Sequence, residues 1–166
     1  MRFELRIPDT TNTRLHEREY DAELDDFRSI LRDICRAIDG HGQFLVSGFG
    51  EDHWPVDVRT DLVVFLEQLP CVINAISAGR PSEIDFYEQG VERKIVLLPT
   101  GDAYSATCIS LGAWQPLTAI ETLERKSLRL MLISVRDTFM ALVRGLSPKL
   151  ANDERLREWL ECKQTT

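Results

Sequence analysis

The chain has 166 residues, 43% of them hydrophobic and 28% charged, with a net charge of −7. That length supports a single domain over 1–166 with a core able to fold without staples, and the composition excludes wholesale disorder. An acidic surface repels phosphate backbones, so nucleic acid is not an expected partner.

In chain order, Met1, Phe3, Leu5 and Ile7 alternate with Arg2, Glu4 and Arg6, the period of a half-buried strand that Pro8 ends. The 9–13 run reads as a loop. From about Asp21, Leu24, Phe27, Leu31, Ile34 and Ile38 fall three and four apart, predicting a helix capped by Asp21 and closed by Gly40. Phe44-Leu45-Val46 is a short strand, and Val56-Asp57-Val58 is either a second one or the lead into a helix. Thr60 has the character of an N-cap for the stripe Leu62, Val63, Phe65, Leu66 and Leu69. Pro70 is expected to break that helix, with a shorter one resuming to Ala78.

Residues 83–110 read as an antiparallel meander, with turns at Gln89-Gly90 and at Pro99-Thr100-Gly101-Asp102. Thr118-Ala119-Ile120-Glu121 fits a capping box, opening a helix that carries Leu128, Met131, Val135, Phe139 and Leu142 and stops at Gly145. Ser147-Pro148 starts a last charged helix. An N-terminal strand and several helices around a meander define an α+β fold, with the helices on one face of the sheet.

No apolar run approaches the ~20 residues of a membrane-spanning helix. Residues 1–7 also lack the apolar stretch of a signal peptide, so a cytoplasmic protein with no membrane partner is expected. Cys35, Cys71, Cys108 and Cys162 are scattered without a CxxC pair, and they read as four free thiols in a reducing compartment. The charge is uneven: residues 1–110 carry 20 acidic and 11 basic side chains, residues 111–166 carry 7 and 9. Glu17, Glu19, Asp21, Glu23, Asp25 and Asp26 form the densest acidic stretch, which would steer a basic protein partner.

Searches for chemistry end without a motif. Gly48-Phe49-Gly50 is a bare GxG, with His53 where a third glycine would complete a nucleotide-binding loop. Ser47 lies outside a GxSxG frame, and neither His16, His41 nor His53 is spaced against a nucleophile. Glu51, Asp52, His53, Asp57 and Asp61 could surround a metal in a small metal-dependent or acid/base enzyme, though no HxH or HExxH pattern fixes them; a solvated loop is the simpler expectation. Asp85, Glu88 and Glu92 are candidate paired carboxylates, but Glu88 and Glu92 beside Arg93 and Lys94 suggest cross-strand ion pairs instead. No catalytic residue, metal ligand or cofactor is therefore assigned. Trp54 and Trp114 sit in loops, and Tyr87 lies on the opposite strand face from Phe86, so these aromatics are candidate interface anchors or lids over the core.

Trp54-Pro55-Val56-Asp57-Val58, the Leu62 to Pro70 stripe and Ile84-Asp85-Phe86-Tyr87-Glu88-Gln89-Gly90 loosely resemble small bacterial immunity proteins of contact-dependent inhibition and other polymorphic toxin systems, over residues 44–110. The resemblance implies a non-catalytic domain that occludes the active site of a cognate, basic protein toxin. Trp54, Asp57, Asp61, Asp85, Tyr87 and Glu88 are the expected partner-binding residues. An adaptor that self-associates through the apolar flanks of the 118–144 helix is a further alternative, which keeps a homo-oligomer open.

Overall fold

The structure, a computed structural model, describes residues 1–7, 15, 18–88 and 90–163. Pro8, the 9–13 loop, His16, Glu17 and Gln89 lie outside the described residues. The period-two segment forms β1 (Arg2–Arg6), paired antiparallel with β2 (Gln43–Ser47), Phe3 opposite Val46 and Leu5 opposite Phe44, all four buried. Between them runs α1 (Phe27–Ala37), which buries Ile30, Leu31, Ile34 and Cys35. It starts later than the periodicity predicts. Asp21 heads its own turn, accepting from the Glu23 and Leu24 N–H groups, and leaves Leu24 85% exposed. Asp26 caps α1 instead, accepting from the N–H groups of Arg28 and Ser29, and Gly40 closes the following turn at φ 82°.

Residues 56–58 form neither strand nor helix and lead into α2 (Asp61–Ser77), which runs unbroken through Pro70. The expected break fails because α2 is buried on almost every side, and tertiary contacts replace what proline removes. Pro70 has no N–H to offer the Leu66 carbonyl. The indole Nε1 of Trp159 donates to that carbonyl at 2.8 Å, from a side chain only 1% exposed.

The four-stranded sheet has the order β3 (Ser82–Phe86), β4 (Arg93–Thr100), β5 (Ala103–Ser110) and β6 (Ile120–Glu124), antiparallel throughout. The meander is thus present, with one strand more than expected. β6 occupies the predicted capping box: Ile120 lies opposite Thr107 and Glu121 opposite Ala106. Strand pairing satisfies this backbone, so the local capping signal is overridden. The Glu121 carboxylate accepts from the Met1 ammonium and from the Phe49 N–H, tying β6 to β1 and to the turn after β2. That turn needs its glycines. A Cβ on Gly48 would lie 2.8 Å from the Met1 Cα, and Phe49 itself adopts φ 59°.

α3 (Arg125–Leu146) follows directly and passes Gly145. The last predicted helix is two short ones, α4 (Pro148–Ala151) capped by Ser147 and α5 (Glu154–Leu160) capped by Asp153. Ile84, Phe86, Ile95, Leu97, Tyr104 and Ala106 join buried residues of α1, α2 and α3 in one core, an arrangement of helices against one sheet face. No helix among the described residues is long and apolar enough to cross a membrane.

The cysteines depart from the expectation of four thiols. Cys35 and Cys108 are buried and free, whereas Cys71 and Cys162 form a disulfide with Cα atoms 5.1 Å apart. Docking of Trp159 beside Pro70 brings the two together across 91 residues of sequence, a proximity that spacing does not reveal. Closing a loop of that size stabilises the fold by about 4.6 kcal/mol in the chain-entropy account, an upper figure that native strain reduces. Cys162→Ser should therefore lower unfolding free energy in urea by about 2–4 kcal/mol under oxidising conditions. An equal loss in reductant-treated wild type is the expected control.

Trp159→Phe should strand the Leu66 carbonyl at a cost of about 1–3 kcal/mol beyond lost packing. In a Pro70→Ala background the restored N–H can take that carbonyl, so the cost of Trp159→Phe should shrink. A double-mutant cycle by urea denaturation measures the coupling, and strict additivity would contradict the account.

Candidate partner-binding face

The sheet has two unlike faces because side chains alternate along each strand. One face supplies the core, and among the described residues no helix covers the other. Across the open face Lys94 lies opposite Ile109, and Val96, Thr107 and Ile120 form a row over three strands. Leu98, Ile109 and Ile120 are 48%, 43% and 57% exposed there, and Leu111 and Leu117 are exposed in the loop after β5. At the β3 side, Lys94 Nζ reaches Asp85 at 3.0 Å and Glu83 at 3.2 Å, and these carboxylates hold the ammonium pKa above its ordinary value. The result is an apolar surface with acidic neighbours.

Side chains from the helices engage one residue on each of two outer strands, β3 and β1. Gln68 of α2 pairs with β3 through its side-chain amide, donating to the Asp85 carbonyl and accepting from the Asp85 N–H, each at 2.8 Å. On β1, the Phe3 N–H donates to Met131 Sδ of α3 at 3.2 Å.

The six residues expected to bind a partner separate into three places. Trp54 is 4% exposed and belongs to the core, which corrects its assignment as a surface anchor. Its N–H donates to the Val46 carbonyl and its indole to the Gly48 carbonyl, folding the loop inward against Phe49 and Phe86. Asp85 lies on the open face with Lys94. Asp57, Asp61, Tyr87 and Glu88 gather around the start of α2. Asp57 Oδ1 accepts from the Thr60 N–H at 2.6 Å and from the Asp61 N–H at 3.4 Å. Asp57 is therefore the residue that caps α2, while the Thr60 side chain makes no capping bond. Asp61 is buried, its Oδ2 accepting from the Asp57 N–H at 2.8 Å. Tyr87 is 52% exposed and donates its hydroxyl to Glu67 Oε2. With Glu88 it walls a cleft of about 290 Å³ between α1 and the start of α2.

The 51–61 cluster is dispersed. Glu51 turns inward to Arg93, Asp52 and His53 point to solvent, and Asp57 and Asp61 belong to α2. Among the described residues no group of three or more His, Cys, Asp or Glu is arranged to hold a metal. The expected ion pairs of Glu88 and Glu92 with Arg93 and Lys94 are replaced as well. Arg93 is 3% exposed and lies over the rings of Trp54 and Trp114, 4.5 and 3.4 Å from their centroids, with Glu51 at 2.6 Å. Trp114 is thus a lid over the core, half-buried on the Arg93 guanidinium. The free thiols are not poised as nucleophiles: burial pushes Cys108 up to about 11 and raises Cys35 further still. On α3, Leu130 is the exposed large apolar side chain, a thin basis for self-association along that helix.

Two features escaped the reading of residues. The open face is signalled by Ile95-Val96-Leu97-Leu98, four apolar residues in a strand that should alternate. Two of the cleft's arginines, Arg32 and Arg36, continue a spacing of four that begins at Arg28, inside a region whose net balance is acidic. No protein-family model, curated protein or solved structure matches this chain.

Burial pushes the Asp61 carboxyl up to about 6; the Asp57 N–H opposes this, and the charges of Asp57 and Glu88 add to it. Its reference value is 3.8, so between about pH 4 and 6 the folded chain holds a proton that the unfolded chain has lost. Stability contributed by this group is therefore present at low pH and lost as pH rises through that window. Asp61→Asn keeps an acceptor for the Asp57 N–H and removes the charge. It should raise stability at pH 7 by on the order of 2 kcal/mol and flatten the slope between pH 4 and 6. Denaturant midpoints measured across that range decide the matter.

Proposed function

We propose that this chain is a non-catalytic protein-binding domain that engages its partner through the open face of the four-stranded sheet. The observation that carries this is the exposure of Leu98, Ile109 and Ile120 on one sheet face, with no helix over them among the described residues. Large apolar side chains gathered in solvent on one sheet face mark an interaction site. Charge complementarity narrows the partner. Residues 82–124 hold seven acidic side chains against two basic ones, and one of those two, Arg93, is buried against Glu51. A partner with an apolar centre and a basic rim fits that surface, and the acidic rim would speed its approach. Tyr87 at the end of β3 supplies an amphipathic ring of the kind that anchors interfaces.

In its narrower form the proposal is an immunity protein that neutralises a cognate toxin domain by covering its active site. The support is the resemblance over residues 44–110 together with the acidic, apolar-centred face. A cytoplasmic site of action belongs to this form, and there Cys71 and Cys162 would be held as thiols.

Co-purification with the product of the neighbouring gene tests both forms. An equimolar complex is expected whose affinity falls at least about 100-fold on Ile109→Lys or Ile120→Lys, with the variants' melting temperatures unchanged. Association should also slow as salt rises. Undiminished affinity in both variants would remove this face as the site, and a partner with no toxic activity would remove the narrower form. If the wild type instead pairs with itself through this face, light scattering will show a dimer that either lysine abolishes.

A further inference from the structure

We infer that the cleft between α1, the start of α2 and the β3–β4 turn is an anion site for a phosphate group carried by a small molecule or a side chain. Its volume is about 290 Å³, and its cationic wall is made by Arg32 and Arg36 of α1 and by Arg59 just before α2. Arg28 continues the same stripe one turn earlier but is committed to Asp26 at 2.9 Å and Glu67 at 3.2 Å. Arg36 has Asp33 at 3.6 Å, a loose contact. Arg32 and Arg59 have no carboxylate within ion-pair distance among the described residues.

Arginines stacked at i and i+4 repel one another and destabilise a helix by a few tenths of a kcal/mol per pair. Their convergence on one concavity, in a chain of net charge −7, sets up a local field opposite to that of the molecule. Guanidinium groups hold phosphate through paired, planar N–H donors, which a tetrahedral oxyanion accepts from several sides. The Thr60 hydroxyl, unused in capping α2, is a further donor on the cleft wall.

Two acids share the cleft. Glu67 is balanced by Arg28 and by the Tyr87 hydroxyl, both on Oε2 at 3.2 Å. Glu88 has no such partner among the described residues and opposes an anion, so it sets the affinity and the preference for a group of high charge density. Tyr87, 52% exposed, offers a flat surface to whatever carries the phosphate. A duplex does not enter a cleft of this size, whereas a phosphate monoester does.

The test is an amide chemical-shift titration of the full chain with inorganic phosphate, phosphoserine and adenosine monophosphate as separate probes. Saturable shifts confined to the amides around 32–36, 59–64 and 87–88 are expected. Arg32→Ala and Arg59→Ala should each weaken binding about tenfold or more, with folding unaffected because both arginines are exposed, and Glu88→Gln, at a half-buried residue, should tighten it, its fold checked by the unchanged amide spectrum outside the cleft. A stronger response to phosphoserine or to the nucleotide than to phosphate identifies the carrier. The inference is overturned if the shifts at millimolar probe do not saturate, or if neither arginine variant changes them.

Discussion

One carbonyl oxygen organises the molecule. α2 is enclosed on nearly all sides, and Pro70 within it leaves the Leu66 carbonyl without its helical donor. A buried backbone acceptor left unpaired costs as much as a lost hydrogen bond. The Trp159 indole supplies the donor, and this places α5 against the middle of α2 rather than elsewhere on the surface. Phe139 of α3 meets the same indole edge-on, so three helices are registered on one side chain. The disulfide then joins Cys71, the residue after the proline, to Cys162 just past α5. Arg155 of α5 reaches the Asp25 carbonyl at 3.4 Å and lies over the Tyr20 ring, which carries the constraint to the segment before α1.

With the helices fixed this way, one face of the sheet is left open among the described residues. Gln68 and Met131 occupy backbone groups of Asp85 on β3 and Phe3 on β1, two of the places where unwanted strand addition would start. The outer face of β4, β5 and β6 is treated differently, with apolar side chains kept in solvent and a single Lys94 balancing Glu83 and Asp85. Engaging these outer strands while leaving the face bare separates protection against aggregation from availability to a partner.

How far the chain could be read in advance follows from the range of the forces involved. Strands β1 to β5, and α1 apart from its start, follow from period and turn residues, because alternation and the glycine at 90 act within a few positions. The reading fails where a distant group decides. Pro70 looks like a helix break until Trp159, 89 positions away, takes the freed carbonyl. The 118–121 box looks like a cap until β5 pairs with it, and Trp54 looks like a surface anchor until Arg93 and Phe86 enclose it. Of the candidate site, Tyr87 and Glu88 line a cleft whose arginines a regional charge balance had averaged away, while Asp57 and Asp61 bond to each other at the start of α2.

The net charge of −7 therefore conceals a partition. Arginines line α1 and the approach to α2, while carboxylates border the open sheet face. Tyr87 and Glu88 stand where the two regions meet, belonging at once to the wall of the cleft and to the end of β3. A macromolecule that covers Tyr87 must also cover one side of the cleft. An anion held there neutralises arginines that a basic partner would otherwise meet as repulsive charge, and Glu88 attracts the partner for the same reason that it opposes the anion. If a partner and an anion both bind as proposed, each would alter the affinity of the other by an equal factor, as linkage requires. The sign is set by whether the neutralised arginines or the shielded Glu88 lie closer to the partner's basic rim.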